Sequence, residues 1–141
     1  DSDDDLSIAF QLLVYAVMDY TGGTPTYETY GRGYGPLMAD SIPWFREHYL
    51  NSDEDLKDWR ASPARAETFA GLPQTLLITA QCDILAYEGR ACGARLAADG
   101  VECEHVDYEG MIHAFFSMAP MLDDSIAAQS LAADRLKTAL S

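Results

Sequence analysis

The sequence predicts an α/β fold built on a mostly parallel sheet with flanking helices. Three observations predict it. Residues 10–17 (FQLLVYAV) and 76–80 (LLITA) are near-continuous runs of aliphatic, β-branched and aromatic residues, the pattern of strands covered on both faces. A helix pattern follows the second run, then a third strand pattern, then a final helix pattern. Strands that alternate with helices pair in parallel and carry the helices on their faces.

Each element has its own local signal. After the first strand, residues 19–36 hold Gly22, Gly23, Pro25, Gly31, Gly33, Gly35 and Pro36, which predicts an excursion without regular structure. Ser41 is the N-cap candidate of a helix that has Pro43 near its start and Trp44, Phe45 and Tyr49 behind it. Residues 51–58 read as an acidic loop or short helix, and 61–63 as a turn. The second strand is introduced by Gly71-Leu72-Pro73. Residues 88–99 then predict a helix with Ala91, Cys92 and Leu96 inward and Gly100 as its left-handed terminator. The third strand, residues 101–108, is more polar and is expected nearer the sheet edge, where it offers a surface for homodimerisation. Ser125 is expected to cap the last helix, with Ala128, Leu131, Ala132 and Ala139 on one stripe.

Composition narrows the function classes. The 141 residues carry nine Lys+Arg against 23 Asp+Glu, a formal net charge of −14. Such a chain repels phosphate backbones and anionic lipid, so nucleic acid and membrane are not expected partners. Residues 1–5 (DSDDD) read as a solvated acidic run. Cys82, Cys92 and Cys103 are odd in number and include no Cys-x-x-Cys pair, which favours a reducing, cytoplasmic compartment over a disulfide framework. No ligand cluster implies a metal, and no cofactor is expected.

Chemistry is expected beyond the carboxyl ends of the strands. Asp83 follows the second strand and His113 follows the third, 30 positions later. Parallel neighbours lie about 4.8 Å apart, so loops leaving the same ends bring such a pair together. An Asp that accepts from one ring nitrogen fixes the tautomer and frees the other nitrogen as a base. His48 and His105 lack this context and read as surface or strand positions. Cys82 adjoins Asp83, and the three cysteines read as buried or half-buried thiols.

The segments around these residues resemble the hormone-sensitive lipase-like family of α/β-hydrolases, carboxylesterases that act on short acyl chains. Residues 71–83 (GLPQTLLITAQCD) resemble the family stretch ending in its triad Asp, with Glu88-Gly89 at the family spacing. Residues 108–116 (YEGMIHAFF) are similar to the block bearing the catalytic His. Residues 10–15, 38–45 and 61–63 also fall in family register, so the likeness runs from about Leu6 to Ala139. It implies that Asp83 is the triad acid and His113 the general base. It also places residues 19–60 near the substrate pocket, with Trp44 and Phe45 as wall residues. The sequence departs from the family at Ala16 and Ile84, where Pro is usual, and at Ala114, where Gly usually follows the His.

Neither a Gly-x-Ser-x-Gly elbow nor a His-Gly-Gly run occurs in the 141 residues, and the nine serines are expected at caps, turns and termini. In the family both motifs precede the segment that this sequence resembles. Residues 1–141 are therefore expected to be the C-terminal portion of a single α/β-hydrolase domain. They would supply acid and base to a small uncharged ester and need a nucleophile-bearing N-terminal half, on the same or a separate polypeptide. The first strand would otherwise present an unpaired edge. The alternative expectation is a non-catalytic α/β-hydrolase-like module for protein binding.

Overall fold

The computed structural model describes residues 7–141, so the acidic run 1–5 lies outside the described residues. Three strands, β1 (Gln11–Val14), β2 (Thr75–Cys82) and β3 (Cys103–Ile112), form one sheet in the order β1-β2-β3, parallel throughout. Four helices accompany them: α1 (Pro25–Tyr30), α2 (Ile42–Tyr49), α3 (Ala86–Ala98) and α4 (Asp123–Ala139).

The central strand explains the two-layer packing. Leu76, Ile78 and Ala80 point to one face, where Phe115 and α4 residues Ala128 and Ala132 cover them. Leu77 points to the other, against Cys92 and Leu96 of α3 together with Met18, Phe69 and Val101. Alternation by twos gives a strand a side chain for each face, and apolar residues at both sets bury it completely. A third cluster sits at the carboxyl end of the sheet, where Ile42, Ile84 and Leu85 pack with Val17, Tyr27, Tyr30 and Leu37 of the excursion.

Several elements differ from the sequence expectation. β1 is shorter, four residues, and is half-buried rather than enclosed, because it pairs on one flank only among the described residues. The excursion holds a regular element, α1, whose Pro25 occupies the first helical turn. Ser41 precedes α2 as expected, yet its hydroxyl donates to the Met38 carbonyl and caps no helix N–H. The acidic stretch, by contrast, forms the short helix expected of it, a 3₁₀ turn over Asp53–Lys57 closed by a Ser52–Asp55 capping box. Ala91 is exposed: the buried stripe of α3 runs Glu88, Gly89, Cys92, Gly93 and Leu96, and Ala91 lies off it. Ser125 lies inside α4, which begins two residues earlier, and its hydroxyl donates to the Phe116 carbonyl. Ser130 likewise falls within that helix. Gly100 terminates α3 with φ +82°, as its position predicts.

α3 is anchored from below. Arg95 donates to the carbonyls of Ala64, Ala66 and Glu67 and lies 4.4 Å over the Phe69 ring. None of the helices is long and apolar enough to cross a membrane, among the described residues.

Candidate active site

The site begins with an irregularity in β3. Ala80 pairs with Tyr108 and Cys82 with Ile112, so one residue of β2 faces three of β3. Gly110 takes φ +70° at this bulge, and its N–H donates to the Gln81 side chain at 2.9 Å. The bulge carries β3 past the expected end at Tyr108 to Ile112 and sets down His113 beside the loop after β2.

Asp83 is that loop's first residue and is 2% exposed. One carboxylate oxygen accepts the Leu85 N–H at 3.0 Å, a local turn that fixes the side chain. The other lies 2.7 Å from His113 Nδ1. A carboxylate only accepts, so Nδ1 carries the hydrogen and Nε2 keeps the lone pair in the neutral ring. The Tyr15 ring lies 4.5 Å from the His113 ring at 52°, and Tyr15 itself adopts φ +34° at the exit of β1. Sequence reasoning missed Tyr15 as a site neighbour; its place at the carboxyl end of a strand was the available signal.

His113 opens onto a cavity of about 150 Å³ lined mostly by apolar surface, including Tyr15, Val17, Tyr20, Tyr27 and Phe45. Burial pushes the Tyr27 phenol up to about 12, with Glu88 adding to the effect. Of the two expected wall residues, Phe45 lines this cavity. Trp44 does not; it turns outward, 56% exposed, and stacks on His48 at 4.2 Å. Ala114, next to His113, sits at φ +69°, a conformation that glycine adopts freely and alanine does not.

Thr79, His105, Asp107 and Arg90 form a separate network between β2, β3 and α3. Thr79, buried, donates to Asp107 at 2.7 Å and faces His105 Nε2 at 2.9 Å, and Arg90 pairs with Asp107. Burial pushes His105 below its usual range. All three cysteines are free. No cluster of three or more His, Cys, Asp or Glu residues is placed to hold a metal ion among the described residues.

A family model described as the alpha/beta hydrolase fold matches residues 1–117. The chain belongs to the alpha/beta-hydrolase family. Among its relatives, the carboxylic ester hydrolase LipN of Mycobacterium tuberculosis is 31% identical over 132 residues, covering 93% of this chain and 35% of LipN. The ethyl acetate hydrolase of Pseudomonas putida is 29% identical over 115 residues, covering 82% of this chain and 36% of that enzyme. The crystal structure of EstE1, a thermostable carboxylesterase from a metagenomic library, superposes with a TM-score of 0.88 at 31% identity, over 95% of this chain and 46% of EstE1. The chain spans about a third of the length of the curated relatives it matches.

Proposed function

We propose that this chain is the acid- and base-bearing part of a serine carboxylesterase, with His113 as general base and Asp83 as the residue that orients it. The observation that carries the reading is the 2.7 Å pairing of Asp83 with His113 Nδ1, with the ring facing an apolar cavity. The resemblance to esterase segments and the carboxylic ester hydrolases among the relatives support it.

In this reading Nε2 of His113 takes the proton of a serine hydroxyl as the oxygen attacks the ester carbonyl. It then returns the proton to the departing alkoxide, which leaves as alcohol. Water repeats the sequence on the acyl-enzyme and releases the acid. Asp83 holds the tautomer and stabilises the imidazolium that forms at each step. The serine, on a Gly-x-Ser-x-Gly elbow, and its oxyanion donors belong to a nucleophile-bearing N-terminal portion, which also pairs with the free flank of β1. The small, mostly apolar cavity and the acidic surface favour small uncharged esters, and the free thiols favour the cytoplasm.

Fluorophosphonate labelling of the protein, read by intact mass on every polypeptide present, tests this. The expected result is a label on the serine of a Gly-x-Ser-x-Gly segment and none on residues 7–141. A label within those residues, or none on a sample that carries such a segment, overturns it.

A further inference from the structure

Where β1 ends, three successive backbone N–H groups find no partner in the sheet. Met18 and Asp19 both donate to Glu88 Oε1, at 2.8 and 3.2 Å, across 70 and 69 positions of sequence. Tyr20 donates to Ser62 Oγ at 2.9 Å. Two of the three therefore depend on one carboxyl group in α3. Glu88 is 4% exposed, and its second oxygen, Oε2, is buried without a partner among the described residues. A buried carboxyl half satisfied in this way is rare, because each unpaired polar group in an apolar surround is destabilising. Val17 and Tyr20, on either side of the tied residues, line the cavity onto which His113 opens.

We propose that Glu88 is a positioning residue for the pocket: its carboxyl ties the exit of β1 to α3, the helix that follows Asp83, and so holds Val17 and Tyr20 in the wall beside His113. What that wall does for an ester rests on the function proposed above; the tie itself does not.

The tie also senses protons. The titratable groups that face Glu88 are Asp19 and Tyr20 from the β1 exit, Tyr27 from α1, Asp83 from the β2 loop and Cys92 from its own helix. None is a cation. Burial foremost, with Asp19 and Asp83 adding repulsion, pushes the Glu88 carboxyl up to about 7, against the opposing pull of the two N–H donors. Near neutral pH the group passes from an acid to a carboxylate, and the anion is the stronger acceptor for Met18 and Asp19.

The experiment follows the Met18 and Asp19 amides by ¹⁵N NMR from pH 5 to 9 in the intact protein, with Glu88→Gln and Glu88→Ala beside it. In the wild type both amide shifts are expected to titrate together with a midpoint near 7. Glu88→Gln keeps an acceptor oxygen but cannot ionise, so it is expected to abolish that titration while keeping slow hydrogen exchange. Glu88→Ala is expected to speed exchange at both amides roughly ten- to a hundred-fold and to move the Tyr20 and His113 ring resonances. Flat amide shifts in the wild type, or a titration that survives in Glu88→Gln, overturn the proposal; both comparisons stand even if Glu88→Ala does not fold. If fluorophosphonate labelling fails while the amides behave as expected, the esterase reading falls and the tie stands.

Discussion

Gly89 lies directly over Thr79. A Cβ at Gly89 would come within 2.6 Å of Thr79 Cγ2, closer than side-chain carbons approach, so α3 meets β2 almost backbone to side chain. This is the helix whose start carries the Asp83 loop and whose first turn carries Glu88. Gly89→Ala is expected to destabilise the fold by about 1–3 kcal/mol, since Thr79 is held by Asp107 and cannot step aside. Urea unfolding of the variant beside the wild type checks this; an unchanged midpoint would show that α3 slides without penalty.

Ala114 gives the opposite sign. At φ +69° its methyl group is strained, and Ala114→Gly is expected to raise stability by about 1 kcal/mol once the extra freedom of the unfolded chain is offset. Thermal unfolding reads the effect directly, and a lower midpoint would mean that the methyl contributes packing that outweighs the strain.

Removing the orienting charge tests the role proposed for Asp83. Asp83→Asn keeps the shape but allows the wrong tautomer at His113, and turnover of an aryl acetate by the nucleophile-bearing protein is expected to fall by about 10⁴-fold. Binding of a non-hydrolysable ester analogue should stay within a few-fold of wild type. A drop of less than ten-fold in turnover would remove Asp83 from the mechanism.

The pocket separates two neighbouring aromatics. Phe45 lines the cavity and Trp44 faces solvent. Phe45→Ala is therefore expected to change KM among esters of different size, by roughly 10-fold for the best-fitting one, whereas Trp44→Ala leaves the order unchanged. Steady-state kinetics on a homologous ester series distinguishes the two, and equal effects would place the substrate elsewhere.

Glu88 also predicts a stability profile. Its folded-state value, about 7, stands above the ordinary 4.5, so the folded state holds the proton more tightly in that window. The contribution to stability is full below about pH 4.5 and is lost as pH rises through 7. His105, lowered by burial, acts in the other direction, its contribution lost as pH falls. The wild type minus Glu88→Gln difference isolates the first effect. It is expected to fall between pH 4.5 and 7 and to level off above; a difference that rises with pH would contradict the assignment.

The parts of the fold written in short contiguous stretches were legible in the sequence. The β2 run and the Gly100 terminator each depend on neighbours in the chain; Asp83 and His113, 30 positions apart, were read each from its own strand end, and the structure brings that pair to 2.7 Å. The parts fixed by distant packing were not. The six residues of α1 sit among glycines, and Tyr27 and Tyr30 hold them against Ile84 and Leu85. Ser125 has the chemistry of a cap, but the carbonyl of Phe116, nine residues back, claims its hydroxyl. Glu88 stands in the sequence only as a helix residue at the family spacing, and its partners, 70 and 69 positions away, come into view only in the structure.

The pairing of Tyr20 with Ser62 has an evolutionary corollary. Together with the Ala64 N–H on the Met18 carbonyl, at 2.9 Å, it clips shut the base of the segment that runs out from β1 and back. α1 and α2 lie between the clips, held besides by the Thr26 hydroxyl on the Ile84 carbonyl and by the cluster around Ile42, Ile84 and Leu85. Lengthening a loop closed at its base adds only about 0.6 kcal/mol per doubling. Insertions there can remodel the chamber facing His113 while Asp83 and His113, set just beyond β2 and β3, keep their alignment. Under the proposed function, substrate range and proton transfer are thus free to diverge independently within one polypeptide.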